Sequence, residues 1–174
     1  AQVAAHEYID IDQHIDDLLQ EGKQPFVIIL DSLQESYNLG SVLRIADAAG
    51  VDAVIIPERR SIALDAAVAK ASAGAIEYVP VARVGNLTNV VMKLKDKGFW
   101  IAAADAAADQ FYYQADWKGP MAVVIGSEGQ GISQGLLKHC DFLISIPMAG
   151  NVNSLNAAVA TGIIVFEAMK QRNI

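Results

Sequence analysis

The chain has 174 residues, of which 53% are hydrophobic and 19% are charged, a composition that predicts one folded domain and excludes a disordered chain. Lys and Arg number 13 against 20 Asp and Glu, and the net charge of −7 argues against an obvious nucleic-acid binder, since such proteins usually carry a basic face. A single cysteine excludes an internal disulfide framework, and three histidines without metal-ligand spacing lead us to predict no metal site.

Residues 1–24 are predicted to be a linker that contains one helix. Apolar side chains recur at helical spacing between Ile11 and Leu19, and Gly22 is a plausible helix stop. The remaining residues, 25–174, are predicted to form one domain. No signal peptide is visible and no apolar run reaches the roughly 20 residues needed to cross a bilayer, so we expect a cytoplasmic protein without a membrane partner.

The next elements alternate between strand and helix. Residues 26–30 are a short apolar run rich in β-branched residues, which is typical of a buried strand. Residues 39–49 have helical spacing, with Asn38 as a good N-cap and Gly50 just past the end. Residues 53–56 are a second apolar run and are predicted to be a second strand.

The alternation continues to the end of the chain. Further strands are predicted at residues 78–84, 99–103, 121–125 and 142–146, and further helices at residues 64–73, 87–97, 133–139 and 155–170. Buried strands that alternate with helices predict an α/β protein with a mostly parallel sheet flanked by helices. Ligands of such sheets bind at the carboxyl ends of the strands, so the loops that follow strands are the candidate sites.

Three of these loops carry polar residues suited to chemistry. In the first, Asn38 opens a helix, Gly40 leaves room for a ligand at its first turn, and Arg44 lies about a turn and a half further along. Arg44 stands among apolar residues, where we expect its guanidinium to need an anionic partner, either a bound ligand or a core carboxylate.

The second loop is rich in glycine and follows the predicted strand at residues 121–125. Gly126, Gly129 and Gly131 have the spacing G-x-x-G-x-G, which differs from the dinucleotide fingerprint G-x-G-x-x-G. Glycines at this density indicate positive φ angles or close approach of another backbone. Glu128 between them is compatible with a solvated carboxylate and equally with an acceptor for a bound group.

The third loop precedes the last predicted helix. Ser154 is a good N-cap for that helix, whereas Asn156, just inside it, is a poor helix former and needs another reason to be there. The small-residue segment at 102–108, after an earlier strand, suits close approach of a ligand, although a plain loop is equally compatible.

Taken together, the three loops resemble the three sequence motifs of the SpoU (TrmH) family of RNA ribose 2′-O-methyltransferases. The family's N-x-G-x-x-x-R corresponds to residues 38–44, and its G-x-E-G-x-G corresponds to residues 126–131. Its I-P-M-x-G and S-L-N correspond to residues 146–150 and 154–156. The motifs occur in the family's order and each follows a predicted strand.

The resemblance implies a fold, a cofactor and an assembly. The C-terminal part of the domain would be threaded into a deep trefoil knot, one of the rare exceptions to unthreaded topology. S-adenosylmethionine would bind in that knot, and the active site would form across a homodimer. The most similar branch of the family methylates a guanosine of 23S rRNA and carries a small RNA-binding domain ahead of the catalytic one, which we expect to be absent from this chain.

The resemblance also implies roles for individual residues. Arg44 would activate or orient the ribose 2′-hydroxyl and the adjacent phosphate of RNA. The residues that would position Arg44 and the RNA backbone are Asn38, Glu128, Ser154 and Asn156. The residues that would hold the cofactor are Gly126, Ile146, Met148, Leu155 and Ala103.

Three alternatives stay open. The substrate could be tRNA, or the chain could be a non-catalytic RNA-binding or dimerisation module, although the intact motif residues argue against the latter. An α/β enzyme with another nucleotide cofactor is disfavoured because the dinucleotide fingerprint and a P-loop lysine are absent from the sequence. We expect RNA binding by this acidic chain alone to be weak and to use basic residues that a dimer brings together, namely Arg44, Arg59, Arg60 and Lys70.

Overall fold

Strands alternate with helices along the chain and enter one parallel sheet. The computed structural model describes residues 6–59 and 63–173, so Arg60 and the first five residues of the predicted linker lie outside it. The strands are β1 Phe26–Asp31, β2 Ala53–Pro57, β3 Val81–Val84, β4 Trp100–Ala104, β5 Met121–Gly126 and β6 Phe142–Ile144. Within the described residues the sheet has six strands in the order β3-β2-β1-β5-β4-β6, and every neighbouring pair is parallel. The predicted α/β class with a parallel sheet is confirmed.

The strands are apolar throughout because both faces of the sheet are covered. In β1, Phe26 and Ile28 point to one face and Val27 and Ile29 to the other, and all four are essentially inaccessible to solvent. This explains why β1 has a continuous apolar run in place of an alternating pattern.

Helices cover the two faces as separate layers. They are α1 Ile11–Gln20, α2 Ser36–Ala49, α3 Ala66–Ala71, α4 Leu87–Asp96, α5 Gln134–Leu137 and α6 Ala157–Gln171. Apolar residues of α2, α3 and α6 join the core on one face, and those of α1, α4 and α5 join the core on the other. Among the described residues, no helix is both long and apolar enough to cross a membrane.

The N-terminal helix α1 packs against the sheet. Ile15 is fully buried and belongs to the same core cluster as Val27 and Ile29 of β1. Asp10 caps the helix through a hydrogen bond from the backbone N–H of Gln13, at 3.2 Å. The part of the predicted linker that the structure describes is therefore packed against the domain that follows.

The structure corrects the starts of three predicted elements. Helix α2 begins at Ser36, so Asn38 lies inside its first turn and does not cap it. Helix α6 begins at Ala157, and its N-cap is Asn156 in place of the predicted Ser154. Strand β3 begins only after Pro80, because proline has no N–H for the ladder and the two residues before it close a turn on Ala75.

The segment after β6 lies between two other parts of the chain. On one side β6 pairs with β4, with Ala104 opposite Ile144. On the other side, Ser145 donates its N–H to Gln110 and accepts the N–H of Tyr112 at 2.8 Å. Residues 105–120, which join β4 to β5, therefore pass along the outer side of this segment, and we call them the 105–120 connection.

The 105–120 connection is anchored by one large aromatic residue. Trp117 is fully buried between the rings of Phe26 and Phe142, and its indole N–H donates to the carbonyl of Tyr112 at 2.8 Å. The connection is thereby fixed to the sheet face that α2 and α6 also cover.

The end of α6 fastens onto the same connection. Arg172 donates to the carbonyls of Trp117, Gly119 and Gln24, and Gln171 accepts the N–H of Trp117 at 3.0 Å. Burial lowers the pKa of the Arg172 guanidinium. Helix α6 thus runs from the carboxyl edge of the sheet to the amino edge, where the chain enters β1.

Candidate active site

A cavity of about 570 Å³ opens at the carboxyl ends of β4, β5 and β6. Its walls come from the start of the 105–120 connection, the loop at residues 126–131, the segment after β6 and the first turns of α6. The volume lies within the range of small-molecule sites. The position agrees with the rule that parallel sheets bind ligands at the carboxyl edge.

The loop at residues 126–131, which we call the glycine loop, forms one wall of the cavity. Its ends are joined by a bridge between Ser127 and Gly131, with a hydrogen bond of 2.9 Å. A Cβ atom on Gly126 would lie 2.2 Å from the carbonyl carbon of Gly131, so only glycine fits there. Gly129 and Gly131 have φ angles of +82° and +67°, which favour glycine.

Three of the predicted residues meet beside this cavity, and one of them, Glu128, lines it. The side-chain amide of Asn156 donates to Asn38 Oδ1 at 2.9 Å and to Glu128 Oε1 at 3.0 Å. Asn38 is 118 residues and Glu128 is 28 residues away from Asn156 in the chain. The hydrogen bonds therefore join the first turn of α2, the glycine loop and the start of α6 at one point, and we call these residues the Asn–Glu–Asn cluster.

Asn156 also caps helix α6, which explains why a poor helix former stands at this position. Its Oδ1 accepts the N–H groups of Ala158 and Val159 at 2.9 and 3.2 Å, which caps α6. The side chain thus uses both of its donors and both lone pairs of its oxygen. This saturation fixes which atom of the amide points to Glu128.

Glu128 is held by the start of α6 as well as by Asn156. Its Oε1 accepts the N–H of Ala157 at 3.3 Å, in the first turn of a 15-residue helix. The partial positive charge at this helix end favours a carboxylate there. Glu128 is therefore an exposed carboxylate at the cavity wall that is held in place by Asn156 and by the start of α6.

Arg44 does not have the apolar surroundings expected from its sequence neighbours. Val42, Leu43 and Ala46 point into the core, whereas Arg44 lies on the opposite side of α2 and is exposed. It makes no ion pair with any residue of the described chain. The expected apolar surroundings are therefore wrong, because one helix turn presents both core and solvent positions, and of the two expected partners a core carboxylate is excluded within the described residues.

The structure sorts the other predicted residues by position. Four of the proposed cofactor residues line the cavity, namely Gly126, Ile146, Met148 and Leu155, and so does Ser154. Ala103 is fully buried in the core on the α4 side of the sheet, and its neighbour Ala104 lines the cavity instead. Successive residues of a strand point to opposite faces of the sheet, so Ala104 faces the cavity and Ala103, one residue earlier, faces away from it.

Two features of the cavity surroundings escaped the sequence reasoning. Asp105 lines the cavity where the small-residue segment leaves β4, and the carboxyl-edge rule alone would have indicated it. Asp31, at the end of β1, contacts the backbone just after the glycine loop through Ser133. That contact is between residues 102 positions apart and has no local signal.

The chain's single cysteine, Cys140, does not line the cavity. Burial raises the pKa of the Cys140 thiol to about 11, so the thiol is protonated at neutral pH. Within residues 6–59 and 63–173, no group of three or more His, Cys, Asp or Glu side chains is placed to hold a metal ion.

Comparison with known protein families gives a match over most of the chain. The sequence model of the SpoU rRNA Methylase family matches residues 25–166. The chain is 47% identical over 173 residues to YacO of Bacillus subtilis (strain 168), which is assigned to the TrmH family of tRNA/rRNA methyltransferases. That alignment covers 99% of this chain and 70% of YacO.

Solved structures share the fold. The SpoU methyltransferase AviRb from Streptomyces viridochromogenes superposes with a TM-score of 0.84 at 27% identity, covering 95% of this chain and 65% of AviRb. A structure of AviRb in complex with AdoMet gives a TM-score of 0.80 at 29% identity, over 86% of this chain and 59% of that one. The A. aeolicus TrmH/SpoU tRNA modifying enzyme gives a TM-score of 0.77 at 26% identity, over 93% and 84%.

Proposed function

Because the chain belongs to the SpoU rRNA Methylase family, we propose that it transfers a methyl group from S-adenosylmethionine to a ribose 2′-hydroxyl of RNA. The observation that carries the proposal is the Asn–Glu–Asn cluster, whose Glu128 lines a cavity of about 570 Å³. The cluster holds three polar side chains, from α2, the glycine loop and the start of α6, in one network beside that cavity, which supports a catalytic role over a non-catalytic module.

The cavity fits the proposed cofactor in size and lining. Ile146 and Leu155 offer apolar contact for a planar base, and the backbone of the glycine loop offers polar groups. Gly126 keeps the wall open where any side chain would collide with Gly131. When bound, S-adenosylmethionine supplies an activated methyl group on a sulfonium.

The residues of this chain would orient the acceptor. The exposed position of Arg44 suits contact with an RNA phosphate and with the hydroxyl that is to be methylated. Glu128, held by Asn156 and the start of α6, would accept a hydrogen bond from the same nucleotide. In-line alignment of the hydroxyl with the methyl group provides much of the rate in such transfers.

We propose that the active site is completed by a second copy of the chain. Val159 and Phe166 of α6 are 52% and 50% exposed and lie on one face of the helix. Gly162 between them lies close to Ile45 of α2, so the exposed apolar face of α6 adjoins α2. A homodimer that covers this surface would bring Arg44 of one subunit toward the cavity of the other.

We also propose that the C-terminal part forms a deep trefoil knot. Strand β6 pairs with β4, and Ser145 just after it is hydrogen-bonded to the 105–120 connection. The connection and α6 are then fastened together at Trp117 by Gln171 and Arg172. This is the arrangement expected when a strand is inserted through a loop of the preceding chain.

The proposed substrate is a guanosine of 23S rRNA, and the proposed compartment is the cytoplasm, where bacterial RNA is modified. A tRNA ribose is the second candidate, since YacO is described as a tRNA/rRNA methyltransferase and a structural neighbour as a tRNA modifying enzyme. Assays with both RNAs and mapping of the labelled nucleotide would decide between them.

The first test is calorimetric titration of the chain with S-adenosylmethionine, with NAD and ATP as controls. We expect saturable binding of S-adenosylmethionine alone, followed by transfer of its labelled methyl group to RNA when RNA is added. Absence of binding, or binding of NAD or ATP with equal affinity, would contradict the proposed function.

A further inference from the structure

Asp31 is a buried carboxylate at the carboxyl edge of the sheet. It is the last residue of β1 and is 8% exposed. Among the residues that the structure describes, it is the one charged residue that is buried. Burial of a carboxylate is costly unless hydrogen bonds stabilise it, so its partners indicate what it does.

The carboxylate holds the chain on the far side of the glycine loop. Asp31 Oδ2 accepts the backbone N–H of Ser133 at 2.8 Å, and Oδ1 accepts the hydroxyl of Ser32 at 3.2 Å. Ser133 follows the loop and stands at the N-cap position of α5. Bonds of this kind to a charged acceptor are among the stronger hydrogen bonds in proteins.

Asp31 also contacts the start of the same loop. In the ladder between β1 and β5 it pairs with Gly126, the first residue of the loop. One residue of β1 is therefore connected to both ends of the glycine loop, through the ladder at Gly126 and through its side chain at Ser133.

Displacement of the glycine loop would affect both the cavity and the Asn–Glu–Asn cluster. Residues of the loop line the cavity, and the tight approach of Gly126 to Gly131 leaves no slack between its ends. The loop also carries Glu128, which bonds to Asn156 and to the start of α6. A loop released from β1 would move the cavity wall and this carboxylate together.

We propose that Asp31 is a positioning residue that clamps the glycine loop in the shape required to bind S-adenosylmethionine. The inference rests on the proposed function for the identity of the ligand, whereas the clamping of the loop rests on the contacts of Asp31 alone.

The test uses Asp31→Ala and Asp31→Asn, with Asp52→Ala as the matched control. Asp52 Oδ2 accepts the N–H of Phe26 at 2.8 Å, so it makes the same kind of bond at the opposite end of β1. Asparagine at position 31 keeps an oxygen for the N–H of Ser133, whereas alanine leaves that N–H without its partner.

We expect Asp31→Ala to raise the Kd and KM for S-adenosylmethionine about tenfold or more, with a smaller effect on kcat at saturating cofactor. Asp31→Asn should recover most of the affinity. Asp52→Ala should lower the Tm by a similar amount to Asp31→Ala and leave the Kd unchanged. An unchanged Kd in folded Asp31→Ala, or equal losses of affinity in both alanine variants, would overturn the proposal.

Hydrogen exchange separates this inference from the proposed function. In the absence of any ligand, the amides of residues 127–133 should exchange faster in Asp31→Ala than in wild type or Asp52→Ala. If wild type fails to bind S-adenosylmethionine but this difference is seen, the proposed function fails and the clamp stands. If exchange is unchanged, the clamp itself is refuted.

Discussion

Asn156 uses every hydrogen-bonding group of its side chain, and the two halves of its amide do different work. The oxygen caps α6, and the nitrogen joins Asn38 to Glu128. A single substitution can therefore remove the second role and keep the first, because an aspartate caps a helix as well as an asparagine does.

We predict that Asn156→Asp keeps the fold but reduces turnover roughly a hundredfold at neutral pH, since small displacements of catalytic groups have effects of that size. The new carboxylate would face Glu128 without a proton between them. Lowering the pH should restore part of the activity, because two adjacent carboxylates raise each other's pKa until they share one proton.

The control for that experiment is Asn86→Asp at the N-cap of α4, where the side chain accepts the N–H of Asn89 at 3.0 Å. Methylation assays over a range of pH and melting curves of both variants would provide the comparison. Equal losses of turnover in the two variants would show that the bridge to Asn38 and Glu128 has no special role.

Arg44 differs from Asn156 in that its side chain is exposed to solvent. We predict that Arg44→Ala abolishes turnover while the Tm and the affinity for S-adenosylmethionine stay at wild-type values, since the side chain is exposed. Lys118→Ala, which removes an exposed positive charge at the amino edge of the sheet, is the matched control. Near-normal turnover of Arg44→Ala would remove this residue from the mechanism.

At the level of single elements, the glycine loop shows how backbone geometry shapes the site. We predict that Gly126→Ala weakens cofactor binding and lowers stability, because its new Cβ would lie 2.2 Å from Gly131. Gly135→Ala in α5 meets nothing within 4 Å and should be neutral or stabilise by about 0.5–1 kcal/mol. Calorimetry with the cofactor and denaturant unfolding of both variants would test this contrast. Equal changes in affinity and stability in the two variants would contradict it.

Helix α6 has a second face that the single chain leaves uncovered. We predict that Phe166→Glu converts a dimer into a monomer and reduces turnover more than tenfold, because a charge on an apolar interface is costly to bury. Met92→Glu, which charges an equally exposed position on α4 across the sheet, should leave both unchanged. Light scattering coupled to size exclusion would measure the mass, and a wild-type monomer would rule out this assembly.

The starts of helices are also where sequence reasoning was least accurate. Ser154 and Asn38 are both good N-caps by type, yet α6 is capped by Asn156 and α2 begins before Asn38. Local preference allows several caps in a run of polar residues. The choice between them is made by a tertiary contact, here the bond between Asn156 and Asn38, which no local pattern contains.

For the molecule as a whole, the net charge affects how strongly the proposed RNA substrate can bind. With a net charge of −7, we predict weak RNA binding by this chain, with an affinity that falls steeply between about 50 and 200 mM salt. Fluorescence anisotropy with a labelled rRNA fragment at several salt concentrations would measure the slope. Tight binding that is insensitive to salt would contradict a contact made through a few basic side chains.

The order of strands in the sheet marks the boundary of what the sequence predicts. Alternating apolar runs and helical segments predict the α/β class, and the carboxyl-edge rule indicates which loops converge, as the meeting of Asn38, Glu128 and Asn156 illustrates. The placement of β6 outside β4 has no such signal. All buried strands look alike in sequence, and their order is decided by long-range packing.

The burial of Trp117, which anchors the 105–120 connection, provides a fluorescence signal for the folding of that connection. The chain has two tryptophans, and the other, Trp100, is 60% exposed. In a Trp100→Phe variant, blue-shifted emission would come from Trp117 alone, and only after the connection has packed against Phe26 and Phe142. A spectrometer could then time, in refolding chains, the moment at which the 105–120 connection packs against the sheet.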